Sequence, residues 1–325
     1  MAEMNYREAI SLGLREALDS DERVFIMGED VGAYGGAYAV TKGFLEAYGP
    51  KRIWEAPISE SGFVGAGAGA AMVGLRPVIE LMTINFSVLA LDQILNHATK
   101  LRYMSGGQLN APLLLRTVTG GGAGLAATHS QSLEPWFAHM PGIHVVLPST
   151  PYDALGLLRE AFTKDDPVLF SEHALLYRLS GEVPQERYTI PFGKADIKRS
   201  GSHVTLVAYS RMVHVALDAA QILAERGVEA EVIDLRTLRP LDMETIVASV
   251  RKTSRVAIIE EAWRTGGFAA EVASQIQETC FDDLDSPVAR IGGEDVPQPY
   301  AENLERAAIP DAAKVVRVLK EVIGI

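Results

Sequence analysis

Along the chain, short apolar runs alternate with longer stretches in which apolar positions recur every three or four residues. In the first part the short runs are "RVFIMGED", "KRIWEAP", "RPVIELMT", "APLLLRTV", "GIHVVLP" and "DPVLFSEH". They are apolar on both faces, as strands covered by helices on two sides must be. The pattern therefore predicts an α/β domain built on a doubly wound, mostly parallel sheet. The rhythm breaks over residues 180–201, "SGEVPQERYTIPFGKADIKRSG", where prolines, glycines and charges predict a connection between domains. A second alternation follows in "HVTLVAYS", "EAEVIDLRTLRPLD", "RVAIIEEAW" and "SPVARIGG", with a closing helix from about Asp311. This places one domain over residues 1–185, a linker over 186–200 and a second α/β domain over 201–325.

In an open α/β sheet, ligands sit beyond the carboxyl ends of the strands. The first strand ends in Gly28, Glu29 and Asp30, the second leads to Ser59, Glu60 and Ser61, and the third runs into Thr83, Asn85 and Phe86. The fourth opens into "TGGGAGLAATHSQS", which carries His129. The second half offers "EEAWRTGG" and "RTLRP", a weaker collection of chemistry.

Charge narrows the function classes. Forty-two Asp and Glu against 30 Lys and Arg leave a formal charge of −12, which opposes long-range attraction to nucleic acid or anionic membranes. The one cysteine, Cys280, cannot form an internal disulfide and has no partners spaced for zinc. The opening "MAEMNYREAISLGLREALDSDE" lacks the basic start and unbroken apolar stretch of a signal peptide, so a cytoplasmic location is expected, with a mitochondrial matrix or plastid as the alternative.

Two glycine-rich stretches invite a phosphate-binding reading. Gly65, Gly67 and Ala70 loosely fit a G-x-G-x-x-A dinucleotide fingerprint, but that motif must follow directly on a buried strand, and "APISESGF" is a poor one. A helix starting near Ser59 or Ser61 accounts better for the run. Its small residues permit close approach of another helix or ordinary core packing, and glycine inside a helix costs about 1 kcal/mol relative to alanine. Glu60 would then lie in the first turn, either as a solvated acid favoured by the helix dipole or, enclosed by Ile58, Phe63 and Val64, as a carboxyl able to hold or share a proton. The second stretch, "VTGGGAGLAATHSQS", lacks the G-K-[ST] ending of a nucleotide P-loop. No G-x-S-x-G supports a serine hydrolase. His139 and His144 do not share helical metal-binding spacing with His129. Phe86 is either core or an aromatic face for a flat heterocycle, ahead of an expected amphipathic helix.

The segments "MGEDVGAYGGAYAVTKGF", "APISESGFVGAGAGAAMVGLRPVIELMTINF", "THSQSLEPWFAHMPGIHVVLPSTPYDALGLL" and "DLRTLRPLD" resemble the beta subunits of the thiamine-diphosphate-dependent component of 2-oxo acid dehydrogenase complexes. The resemblance spans essentially the whole chain and is nearest to pyruvate dehydrogenase and acetoin dehydrogenase beta subunits. It implies a pyrimidine-binding domain followed by a domain like the transketolase C-terminal domain. It also implies that Glu60 hydrogen-bonds the aminopyrimidine ring nitrogen, that Phe86 packs against that ring beside Met82, that Glu29 lies near the same pocket, and that His129 faces the substrate. Proton sharing by Glu60 would favour the imino tautomer of the pyrimidine, whose nitrogen can take up the thiazolium proton.

The chain has no G-D-G motif of the kind that holds the cofactor's diphosphate through magnesium. The resemblance therefore implies an alpha subunit that carries the diphosphate and magnesium, an alpha-two beta-two heterotetramer, and a dihydrolipoyl acyltransferase core as a further partner. In some relatives backbone carbonyls bind potassium at positions matching Leu113, Ala161, Phe162, Lys164 and Asp166; here "KDDP" replaces the expected "DNNP". Pyruvate is the expected substrate, with acetoin and branched-chain 2-oxo acids as alternatives. A nicotinamide oxidoreductase conflicts with the misplaced glycine fingerprint, and a noncatalytic docking subunit would leave Glu60 and His129 without a role.

Overall fold

A computed structural model describes residues 1–324. The chain forms two compact units, Met1–Thr119 with Trp136–Phe192, and Gly120–Pro135 with the chain from Gly193 onward. The excursion of residues 120–135 into the second unit has no counterpart in the sequence pattern.

In the first unit six parallel strands stand in the order His144–Val146, Val168–His173, Leu114–Thr119, Arg76–Leu81, Val24–Gly28 and Ile53–Glu55. Each of the six apolar runs read from the sequence is one of these strands. The helix Tyr6–Ser20 starts in a capping box: Asn5 Oδ1 accepts from Glu8 N at 2.9 Å and the Glu8 carboxylate accepts from Asn5 N at 2.8 Å. It packs on the helix Pro151–Ala161 closely enough that a Cβ at Gly13 would lie 2.8 Å from Leu158 Cδ2. Ala2–Asn5 pairs antiparallel with Ser180–Val183, a two-stranded ribbon whose second strand lies in the stretch whose sequence predicts only a connection. The expected amphipathic helix after Phe86 is instead three short pieces: a 3₁₀ segment Ile84–Ala90, a π segment Gln93–Ala98 and a helix Leu101–Met104.

The second unit has a five-stranded sheet in the order Ala289–Gly293, Val256–Trp263, Val204–Ala208, Ala230–Asp234 and Asp196–Arg199, the last of them antiparallel. The four expected strands are present, and Asp196–Arg199 adds an edge strand drawn from the presumed linker. The closing helix Ala312–Val318 begins where the sequence places it, with the Asp311 carboxylate accepting from Lys314 N at 2.7 Å.

A charge sits inside the first sheet. Arg116, on Leu114–Thr119, is 1% exposed and ion-paired on one side with Glu80 and on the other with Glu172. Arg116 Nη2 donates to Glu172 Oε2 at 2.9 Å, and the Tyr177 hydroxyl donates to the same oxygen at 2.6 Å. Burial and the neighbouring Glu172 carboxylate hold the Tyr177 hydroxyl well above its ordinary pKa, so it remains a donor. Removing one partner of such a network strands the others in a medium that cannot solvate them. Arg116→Met should therefore cost about 3–5 kcal/mol of folding stability; urea unfolding that shows less than about 1 kcal/mol of loss would mean the acids are not held by this cation.

Candidate active site

The strand Val24–Gly28 lies between Ile53–Glu55 and Arg76–Leu81, so the turns that leave these three strands emerge side by side. Glu29 follows the first directly. Glu60 opens the helix Glu60–Met72, with Ser59 at the N-cap position, and is 5% exposed. Met82 follows the strand Arg76–Leu81, and Phe86 lies in the 3₁₀ segment; both are half-buried. The sheet thus brings Glu29, Glu60, Met82 and Phe86 to one edge of one unit.

Glu60 bears on the other acid at that edge, Glu29. Burial first, then the Glu60 and Asp30 carboxylates, raise the pKa of Glu29. Glu29 Oε1 is buried and has no hydrogen-bond partner among the described residues. A buried acceptor without a donor is costly, and it suits a ligand that brings a donor of its own. Asp30, at φ 57°, takes the left-handed conformation that non-glycine residues rarely adopt at the turn just after Glu29.

The glycine and alanine run proves to be helix. Phe63, Val64, Gly67, Ala68 and Ala71 face inward, and a Cβ at Gly67 would lie 2.6 Å from Ile79 Cδ1, so glycine there lets the helix lie close on its own sheet. Gly62, Ala66, Gly69 and Val73 form an exposed face, with nothing within 4 Å of a Cβ built at Gly69.

His129 belongs to the second unit, not to the unit holding Glu60. It is exposed, with Thr128 Oγ1 2.9 Å from its Nδ1 and its backbone N donating to Ala126 O at 3.3 Å. The loop before it is occupied from within: Glu261 Oε1 accepts from Gly121 N at 2.6 Å, and Glu305 Oε1 accepts from Gly122 N at 2.9 Å. Those amides are therefore not open to a phosphate.

The five candidate potassium positions do converge. Leu113, Ala161, Phe162, Lys164 and Asp166 line one cavity of about 10 Å³ together with Arg76. Arg76 Nη1 donates to the carbonyls of Phe162 at 2.9 Å and Lys164 at 3.1 Å, using one lone pair of each and leaving the other. The Lys164 ammonium is paired with Glu160. Among the described residues, no cluster of three or more His, Cys, Asp or Glu side chains forms a metal site, and no helix is long and apolar enough to cross a membrane.

Sequence reasoning missed a buried acid in the second unit. Glu260, on Val256–Trp263, is 1% exposed, accepts from Tyr209 Oη at 3.1 Å and Ala269 N at 3.2 Å, and feels the Glu134 carboxylate. Burial dominates and pushes its carboxyl up to about 7. The signal for it was the doubled acid in "EEAW" at a strand end.

Comparison with known proteins adds an independent line. Residues 2–180 match the family model of the transketolase pyrimidine binding domain, and residues 193–315 match that of the transketolase C-terminal domain. The chain is 50% identical over 322 residues to pyruvate dehydrogenase E1 component subunit beta-2, mitochondrial, of Oryza sativa subsp. japonica, covering 98% of this chain and 86% of the relative. It is 46% identical over 320 residues to pyruvate dehydrogenase E1 component subunit beta of Rickettsia felis, covering 98% of each. Among solved structures, a split gene transketolase described as an inactive beta4 tetramer superposes with a TM-score of 0.80 at 23% identity, over 99% of this chain and 98% of that one, which bears on the fold alone.

A carboxyl whose pKa is raised on folding binds its proton more tightly in the native state. Its contribution is therefore present in full below the unfolded value, near 4.5, and is lost as pH rises towards about 7. Stability should fall by up to about 3 kcal/mol across that window on account of Glu260. Glu260→Gln should flatten this part of the urea-midpoint profile; an unchanged slope would assign the dependence to other groups.

Proposed function

Because the chain belongs to the family of thiamine-diphosphate-dependent 2-oxo acid dehydrogenase beta subunits, with pyruvate dehydrogenase E1 beta subunits as relatives at 46–50% identity, we propose that it supplies half of a split active site. The other half comes from an alpha subunit in an alpha-two beta-two heterotetramer. The reaction is the oxidative decarboxylation of pyruvate, with transfer of the acetyl group to a lipoyl group carried by an acyltransferase core. The observation that carries the reading is the acid pair at the first sheet's carboxyl edge, Glu60 with Glu29, whose Oε1 is buried and unpartnered.

Thiamine diphosphate, when bound, supplies the electron sink that decarboxylation of a 2-oxo acid requires. The chain's own residues provide the rest. Glu60 holds a proton shared with the aminopyrimidine ring nitrogen, and Glu29, whose pKa is raised by burial and by the Glu60 and Asp30 carboxylates, meets the same end of the pocket. Phe86 and Met82 offer apolar surface for the ring. His129 orients the acyl group or moves a proton to it. Diphosphate and magnesium fall to the alpha subunit, since this chain carries no G-D-G string. The open face of Gly62, Ala66, Gly69 and Val73 suits close approach of a partner helix, because small side chains let backbones come near.

The cavity beside Arg76 is proposed as a monovalent-cation site. Its volume of about 10 Å³ is near that needed for one water-sized occupant, and the Phe162 and Lys164 carbonyls each retain a lone pair.

Co-expressed with its alpha subunit, Glu60→Gln should assemble normally yet lose at least about a hundredfold in turnover, the usual contribution of a positioned acid or base; near-normal turnover of pyruvate would remove Glu60 from the mechanism. By calorimetry, thiamine diphosphate with magnesium should bind the co-expressed pair and not this chain alone. Tight binding by the isolated chain would overturn the split site. Replacing choline with potassium should raise the thermal midpoint of the assembled protein, by about 2.7 kcal/mol of stabilisation at a hundredfold excess over Kd; equal midpoints in the two salts would dispose of the cation proposal.

A further inference from the structure

The loop that carries His129 leaves the strand Leu114–Thr119, joins the second unit at Gly120 and returns at Trp136. Between Gly120 and Leu133 it forms neither helix nor strand, so something else must fix its path. Its backbone is left-handed at Gly120 (φ 87°), Gly122 (φ 89°), Gly124 (φ 70°) and Ala126 (φ 61°). Such repeated positive φ turns successive N–H groups into one concavity, the arrangement that elsewhere binds anions.

Here the anions are the chain's own. Glu305, from the helix Glu302–Ala308, accepts from Gly122 N at 2.9 Å and from Gly124 N at 3.2 Å. Its second oxygen also accepts from Gly124 N at 3.2 Å. Glu261, from Val256–Trp263, takes Gly121 N at 2.6 Å and has Arg211 Nη1 at 3.8 Å. The two acids are 3% and 6% exposed. Carboxylates this buried need donors, and charge-assisted bonds to backbone N–H are about twice as strong as neutral ones. The loop therefore has three amides anchored to two elements far away in sequence. Gly121 admits no side chain freely, since a Cβ there would lie 3.0 Å from Ile309 Cδ1.

We propose that Glu305 and Glu261 are positioning residues: they clamp the glycine loop and thereby set where its exit holds the His129 imidazole for the acyl chemistry. The proposal rests on the reading of His129 as the residue facing substrate, and adds the device that places it. A catalytic group displaced by about 1 Å can lose a hundredfold in rate. A loop with four left-handed residues and no ladder of its own depends on these anchors for that precision.

The test uses the assembled alpha–beta enzyme with Glu305→Ala, Glu305→Gln, His129→Ala and the Glu305→Ala/His129→Ala double variant. Glu305→Ala should lower kcat for acetyl transfer ten- to a hundredfold and speed hydrogen exchange at Gly121–Gly124. Glu305→Gln, whose single amide oxygen can accept the Gly122 and Gly124 bonds made by Oε1 but not the one made by Oε2, should recover part of both. In the His129→Ala background, Glu305→Ala should cost kcat nothing further. Multiplicative losses in the double variant, or unchanged exchange in Glu305→Ala, would overturn the clamp while leaving His129 in place. Full turnover in His129→Ala would overturn the reading of His129 and this proposal with it. If Glu305→Ala does not assemble, Glu261→Ala makes the same measurement through Gly121.

Discussion

Buried carboxylates organise this chain, because an ionised acid withdrawn from water must find a donor, a cation or a proton. The structure uses a different solution for each. Glu80 and Glu172 share Arg116 within the first sheet. Glu305 and Glu261 take backbone amides of a glycine loop. Glu260 keeps a proton up to about pH 7. The acid edge of Glu29 and Glu60 stands apart, because Glu29 Oε1 has no partner among the described residues. Among the described residues Glu29 Oε1 is the one buried carboxylate oxygen left without a donor, and it marks the place a ligand is expected to complete.

The architecture could be read from hydrophobic pattern because parallel sheets are covered on both faces, which makes each interior strand a continuous apolar run bounded by helical periodicity. All ten such runs are strands. The pieces that escaped are those without that signature. Ala2–Asn5 and Ser180–Val183 are short, half-solvated and paired across nearly the whole first domain. Asp196–Arg199 is an edge strand of mixed charge within a stretch whose prolines and glycines read as linker. The helix expected after Phe86 breaks into 3₁₀ and π segments, a change in hydrogen-bond step that apolar spacing cannot reveal.

The candidate site was legible to the extent that topology makes it. Strand ends in an open α/β sheet are functional ground, so Glu29, Glu60 and Phe86 could be named from where apolar runs stop, whereas Met82 was named only through the family resemblance. That they share one edge follows from the pairing of Val24–Gly28 with both neighbours. His129 was named from its motif, but its assignment to the second unit could not be, because nothing in "TGGGAGLAATHSQS" tells which body the loop joins. The acids that hold that loop lie 140 and 183 residues further along the chain. No local pattern can encode such a pairing. "EEAW" shows only that acids sit at a strand end, and Glu305 lies in a helix whose sequence looks like an ordinary charged face.

The glycine loop also resolves the ambiguity that its sequence raised. Left-handed glycines produce an anion-binding concavity whatever the anion is, so composition alone leaves phosphate and carboxylate equally suited. What decides is whether the protein brings its own acid. With Glu305 on Gly122 and Gly124 and Glu261 on Gly121, the concavity is satisfied within the second unit, and a diphosphate would have to displace two buried carboxylates to enter. The glycines serve conformation and not ligand binding. That assignment agrees with the absence of a G-D-G string from this chain: the motif is missing, and the amides of Gly121, Gly122 and Gly124 are already taken by the chain's own acids.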